Sequence, residues 1–191
     1  MYDVVHVDEK WFYEEVDRRS YYLLPDEDPP EGRRKSKRFI GKTMFLAAVA
    51  RPRYDTARQC WFDGKLGIWP FVADYTAKRN SINHNKGDVY KRNIDIIDRA
   101  VYKRYLIEEV IPSIKANWPG SERGRPIYIQ QDNAKPHVAE SDADVLAAGR
   151  EGGWNIRVIC QPPNSPDFNV LDLGFFRAIQ SLQLEQNIQE S

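Results

Sequence analysis

The sequence predicts an α/β fold in which a mixed β-sheet is covered by helices. Strand-like, β-branched or aromatic runs come first, and helical periodicity alternates with further strand-like runs after residue 93. Three acids, Asp8, Asp132 and Asp172, each stand at the end of such a run or just past a turn. Strands followed by alternating units call for a sheet with both antiparallel and parallel neighbours.

Tyr2 to Val7 reads as a short strand that ends at Asp8, with the β-type aromatic pattern continuing through Trp11 to Tyr13 and Tyr21 to Leu24. LLPDEDPPEGRRKSKR, rich in proline and charge and without an apolar face, predicts a mobile loop. Thr43 to Ala50 (TMFLAAVA) is too short for a typical helix and reads as a central strand buried on both faces. Trp61 to Phe71, with Gly64 and Gly67 at a turn, suggests a hairpin, and TAKRNSINHNKGD after it an exposed polar stretch. Apolar residues at helical spacing from Ile94 to Ile114 predict a helix between Asn93 and Trp118, with Pro112 as a kink.

Pro126 to Gln131 reads as a buried strand that delivers Asp132, followed by a helix over 136–149 opened by Pro136. Asn155 to Cys160 is a further strand and QPPNSPD a turn-rich loop, and a last helix from Phe168 or Asn169 to about Gln183 carries Asp172 in its first turn. The acids thus fall on the first strand, the end of a later strand and the last helix. That is the layout of a ribonuclease-H-like fold.

At 191 residues, 41% hydrophobic and 12% aromatic, the chain has room for one domain with a real core. Its net charge of zero argues against a strongly basic nucleic-acid coat. Charge is segregated all the same: Arg33 to Arg53 holds eight basic residues and no acid. No apolar stretch approaches the ~20 residues of a membrane span, and no charged-then-apolar leader opens the chain, which predicts a soluble intracellular protein. Cys60 and Cys160 suggest neither a disulfide framework nor a zinc site, and Cys160 reads as a buried small hydrophobe.

Three phrases carry a resemblance: DEKWF around Asp8, QQDNAKPH around Asp132 and PPNSPDFNVLDLGFF around Asp172. In this order they resemble the catalytic domain of mariner-like transposases, within the DDE/D recombinase superfamily. Residues 133 to 171 put thirty-nine positions between the second and third acids, and Asp with this longer gap resembles the plant-type branch. Full-length relatives carry N-terminal helix-turn-helix modules that recognise transposon ends. None precedes Met1, so 1–191 is expected to be a single catalytic domain without them.

The resemblance implies metal-dependent cleavage and strand transfer of double-stranded DNA at transposon ends, with a TA target, and either a homodimer or a longer transposase as partner. Cleavage builds negative charge on several oxygens around phosphorus. Two divalent ions roughly 3.5–4 Å apart meet that charge, and Mg²⁺, with Mn²⁺ as substitute, takes oxygen ligands. By the resemblance Asp8 bridges both ions, Asp132 holds one and Asp172 the other. Glu9, on the opposite face of a continuing strand, stays out of that set. On isolated grounds each acid also reads as an ordinary cap or turn residue.

Asn133, Lys135 and His137 either orient Asp132 and touch DNA phosphate, or serve a turn and face solvent. The run with Arg33, Arg34, Lys35, Lys37 and Arg38 fits phosphate contacts, a nuclear-import signal or a solvated loop; the first is preferred. A nuclear location follows from the DNA substrate. His6 reads as structural and His84 as a loop residue, while Trp11, Phe12, Trp61, Trp69 and Trp118 read as core and Phe175 and Phe176 as anchors of the last helix. The competing reading is a truncated or host-recruited module that binds DNA or a transposase without cutting. A ribonuclease of the same fold is a third, for which no motif supplies 2′-hydroxyl contacts.

Overall fold

The computed structural model describes residues 3–13, 41–120, 124–162, 165, 167 and 169–189. Its centre is a five-stranded sheet built from β1 (Val4–Tyr13), β2 (Lys42–Ala50), β5 (Lys65–Pro70), β8 (Ile127–Gln131) and β9 (Ile156–Cys160), in the order β5-β2-β1-β8-β9. The first three strands in sequence are antiparallel neighbours, and β8 and β9 add to β1 in parallel. The expected mixed sheet is therefore present. β1 is longer than its apolar start suggests, because it runs through DEKWFY to Tyr13 along β2. Asp8 consequently lies in the middle of the strand instead of ending it.

Side chains alternate across the sheet. Val5, Val7, Leu46, Ala48, Ile127, Ile129, Ile156 and Val158 point to one face and join the main core. That face is covered by a helical rod of α1 (Arg99–Tyr105), a π turn (Leu106–Val110) and α2 (Ile111–Asn117), which buries Tyr102, Leu106, Val110, Ile111 and Ile114. Asp98 starts the rod by accepting the Val101 N–H at 2.9 Å, so the helix begins after Ile94 and Ile97, which pack on the core from irregular chain. At Pro112 the expected kink takes the form of a π turn: the Ile111 N–H reaches back to Leu106 O, and proline, with no N–H to give, follows.

The other face is covered by a second π turn (Leu171–Phe175) and α4 (Phe176–Gln189), over a small cluster of Ala47, Leu171 and Phe176 flanked by Phe12, Val49 and Phe175. Residues 135–141 form turns, and α3 (Ala143–Arg150) starts later than Pro136 suggests because Asp142 caps it, accepting from Asp144 N and Val145 N. Gly149 packs directly on the Ile156 carbonyl, where a Cβ would collide.

Two hairpins stand outside the sheet: β3 (Arg53–Asp55) with β4 (Cys60–Phe62), and β6 (Val72–Thr76) with β7 (Val89–Asn93). Trp61 and Ile68 therefore belong to different sheets and not to one hairpin. Gly64 turns the chain between them at φ +86°, under the Ala50 carbonyl. Trp118 is buried, Trp69 packs on the core and Phe12 meets Phe45 and Phe176 edge-on. Trp61 departs from its expected core role: it is 72% exposed, against Tyr54 alone. Cys160 is only half-buried. Among the described residues no helix is long and apolar enough to cross a membrane. The loop with Arg33, Arg34, Lys35, Lys37 and Arg38 lies outside the described residues.

Candidate active site

Alternation along β1 sends Asp8 towards the thin α4 side of the sheet and Glu9 towards the helical rod. Asp8 is 8% exposed, with Oδ1 accepting the Glu9 N–H at 2.8 Å and Oδ2 accepting from Asn169 Nδ2 at 2.8 Å. The same Asn169 amide reaches Asp172 Oδ2 at 3.2 Å, while Asn169 Oδ1 accepts the Asp172 N–H. One asparagine thus ties the first acid to the third. The free oxygen of Asp172 holds Lys10 Nζ at 2.6 Å. Burial pushes the Asp8 carboxyl up to about 6; the bonds from Asn169 and the Glu9 N–H pull it down, and the charges of Asp172 and Glu9 push it up again.

Asp132 follows the last residue of β8. The parallel register pairs Val4 with Tyr128 and His6 with Gln130. Continued by two residues, that register sets Asp132 level with Asp8 on the neighbouring strand. Oδ1 of Asp132 accepts the Ala134 N–H at 2.8 Å and faces His137 Nδ1 at 2.8 Å. The other ring nitrogen, Nε2, lies 3.0 Å from Glu9 Oε1. Both nitrogens of this buried ring face acceptor oxygens, a setting that favours the doubly protonated imidazolium. Burial opposes the charge, but the Glu9 carboxylate outweighs it and His137 titrates above the usual histidine range.

Tyr102 stacks on the His137 ring at 4.4 Å, and its buried hydroxyl has no hydrogen-bond partner among the described residues. Burial, then the charges of Glu9, Asp132 and Asp8, hold that phenol well above its ordinary value. Arg99 fixes the loop after Asp132 by donating to the carbonyls of His137 and Lys135.

The structure therefore brings Asp8 and Asp172 together directly and joins Asp132 to them through His137 and Glu9. Of the two readings of His137, the solvent-facing one is excluded by its burial and its two carboxylate partners. Asn133 ties its loop to Gln161 O at 2.8 Å, and Lys135 is exposed. Glu9, Lys10 and Asn169 were not expected here. Their signals are local: Lys10 is two residues from Asp8 on the same strand face, Asn169 is three before Asp172 on the same helix face, and a buried His137 requires an acidic neighbour.

The donor set suits a hard divalent cation, since Asp8, Asp132 and Asp172 offer only oxygen, and a cationic group, the Lys10 ammonium, already sits on Asp172. Among the described residues, no three His, Cys, Asp or Glu side chains are grouped closely enough to hold a metal as they stand.

A 3-2-1-4-5 sheet with helices on both faces defines a ribonuclease-H-like α/β domain. Three solved structures share this fold with 18% sequence identity each. They are a pre-cleavage Mos1 transpososome (TM-score 0.57, covering 95% of this chain and 43% of that one), the Mos1 strand transfer complex (0.56, 99% and 46%), and the Mos1 mariner paired-end complex with Mn (0.55, 95% and 42%). The chain spans less than half the length of these transposase chains. No family model matches it, and no curated protein does.

Proposed function

We propose that this chain is the catalytic domain of a mariner-like DDE/D transposase, a metal-dependent phosphoryl-transfer enzyme that cuts and joins double-stranded DNA at transposon ends. The observation that carries the reading is how the motif acids are held: Asp8 and Asp172 share Asn169, and the strand register, continued by two residues, sets Asp132 level with Asp8. The fold shared with the Mos1 strand transfer complex and the Mos1 paired-end complex with Mn supports it.

Asp8, Asp132 and Asp172 would hold two Mg²⁺ or Mn²⁺ ions, whose chemistry is to neutralise charge on the attacking and leaving oxygens of an in-line displacement. The chain's own residues do the rest. Asp8 would be central, tied to Asp172 through Asn169 and one strand away from Asp132. His137 fixes the Asp132 carboxylate by holding Oδ1 and the main-chain carbonyl from the same nitrogen, with Glu9 steadying the far side of the ring. Lys10, released from Asp172, and Lys135 supply cations for DNA phosphates. In cleavage a water oxygen forms the new P–O bond as the bond to the departing 3′ or 5′ oxygen breaks; in strand transfer a 3′-hydroxyl takes the place of water. A TA target, a homodimer or longer transposase as partner, and a nuclear location belong to the same proposal.

The test is Mg²⁺-dependent nicking of duplexes carrying transposon ends, with Mn²⁺ binding followed in parallel by electron paramagnetic resonance. Nicking and saturable Mn²⁺ binding, both lost in Asp132→Asn, are expected. Binding of DNA without either would leave a non-cutting module as the correct description.

A further inference from the structure

We propose that the β6–β7 hairpin is a DNA-backbone contact, a finger that grips duplex phosphates beside the carboxylate edge. The proposal rests on the reading of the chain as a DNA-processing domain and adds where the duplex is held.

Placement is the first argument. β2 runs antiparallel to both β1 and β5, so β5 points the same way as β1 and β8. The ends of β5 and β8 therefore lie on one edge of the sheet, the edge where Asp132 stands. The hairpin is rooted there, directly after β5: the Phe71 N–H bonds to Met44 O, the Ile94 N–H to Phe71 O, and Asn93 Nδ2 to Lys42 O at 2.7 Å. β5 and β1 are two strands apart, about 10 Å. The root therefore flanks the acids at the same end of the sheet, packed against the helical rod through the Tyr105 hydroxyl at Pro70 O.

Charge is the second. Lys91 pairs with Asp74 and Arg92 with Asp95, so the stem neutralises itself. At the tip Lys78, Arg79 and Lys86 are all exposed, and none has an ion-pair partner among the described residues. Asp88, the one acid there, is occupied with the Asn85 N–H at 2.7 Å. Ile82 at the apex is fully exposed among the described residues.

Construction is the third. The tip is built for a fixed shape: Lys86 N–H bonds to Asn80 Oδ1, Ser81 and His84 bond to each other, and Gly87 N–H closes on Ala77 O. His84 stacks face to face on Tyr90 at 3.9 Å, and Tyr90 meets Tyr75 edge-on. A preformed tip presents its three cations with little ordering cost on binding.

The experiment measures binding of a fluorescent 30-base-pair duplex to the full chain across a range of KCl, without divalent metal, for the native chain and for Lys78→Ala, Arg79→Ala and Lys86→Ala combined. Each phosphate contact contributes about −0.9 to the slope of log K against log salt. The native slope is expected to shrink by about 2–3 in the triple variant, with the thermal midpoint and Mn²⁺ binding unchanged. An unchanged slope in a variant that still binds DNA overturns the finger and leaves the catalytic reading standing. A native chain that binds neither duplex nor Mn²⁺ overturns both.

Discussion

The two faces of the sheet differ in depth and in what they carry. Against the rod of α1 and α2 lies a continuous apolar core with Tyr102, Leu106, Val110, Ile111 and Ile114 fully buried. Among the described residues, the buried cluster on the α4 side is Ala47, Leu171 and Phe176 with a few partly buried neighbours, and beside them sits Asp8. The deep face supplies stability, and the shallow face accommodates Asp8, whose buried carboxylate destabilises the resting fold. Side-chain alternation in β1 puts both within one residue of each other: Val7 belongs to the first and Asp8 to the second.

Breaking the deep face has the largest expected effect. Leu106→Ala leaves a cavity under the rod and should lower stability by about 2–5 kcal/mol, read by denaturant unfolding, while Mn²⁺ affinity of the folded fraction stays as it was. Neutralising the shallow face should act in the opposite direction. Asp8→Asn keeps the shape, gives up one of the two bonds the carboxylate accepts from Glu9 N–H and Asn169, removes a charge held out of water, and should raise metal-free stability by about 1–2 kcal/mol, while abolishing Mg²⁺-dependent nicking.

The pH dependence sharpens the contrast. A carboxyl whose folded value is about 6, against 3.8 unfolded, costs stability at neutral pH, and that cost disappears as pH falls from about 6 to 4. His137 has the same sense, since a raised histidine contributes most below its unfolded value and loses that contribution as pH rises through its folded one. Asp142, held low by the Val145 N–H and Lys103 against the effect of burial, gives way only below the usual carboxylate range. Metal-free stability should therefore peak at mildly acidic pH, and Asp8→Asn should flatten its neutral side in thermal melts. The smallest effect concerns Lys10, whose pair with Asp172 is partly exposed. Lys10→Met should strengthen Mn²⁺ binding a few-fold, in keeping with an ion pair of about 1 kcal/mol or less; unchanged or weaker binding would show that Lys10 does not compete for the site.

The sheet was legible where burial is continuous. TMFLAAVA, PIYIQQ and NIRVIC stand out as short apolar runs, and each becomes a strand whose inward positions are buried, although Arg157 in the last of them is exposed. The second half of β1 was hidden because beyond His6 its parallel partner falls away, and charged residues are tolerated there. TAKRNSINHNKGD is the exposed stretch its composition predicts, but the strands that flank it are silent in the sequence, since VADYT and VYKRN are mostly exposed and their pairing rests on tyrosine contacts that no periodicity reports. Ile94 and Ile97 imitate the helical period while lying outside the helix, and Asp98 and Asp142, not the apolar pattern or Pro136, decide where the helices begin. Glu9 was assigned to the correct face. That face holds His137, brought there by a turn that Ala134, Pro136 and Arg99 shape together.

If Asp172 holds metal as proposed, the Lys10–Asp172 pair means that an arriving ion would meet a seat already taken. Loading is then an exchange of one cation for another. On the same reading Asp172 would keep a counter-charge in chelator, and a DNA phosphate that drew the lysine away would free its carboxylate for a metal ion.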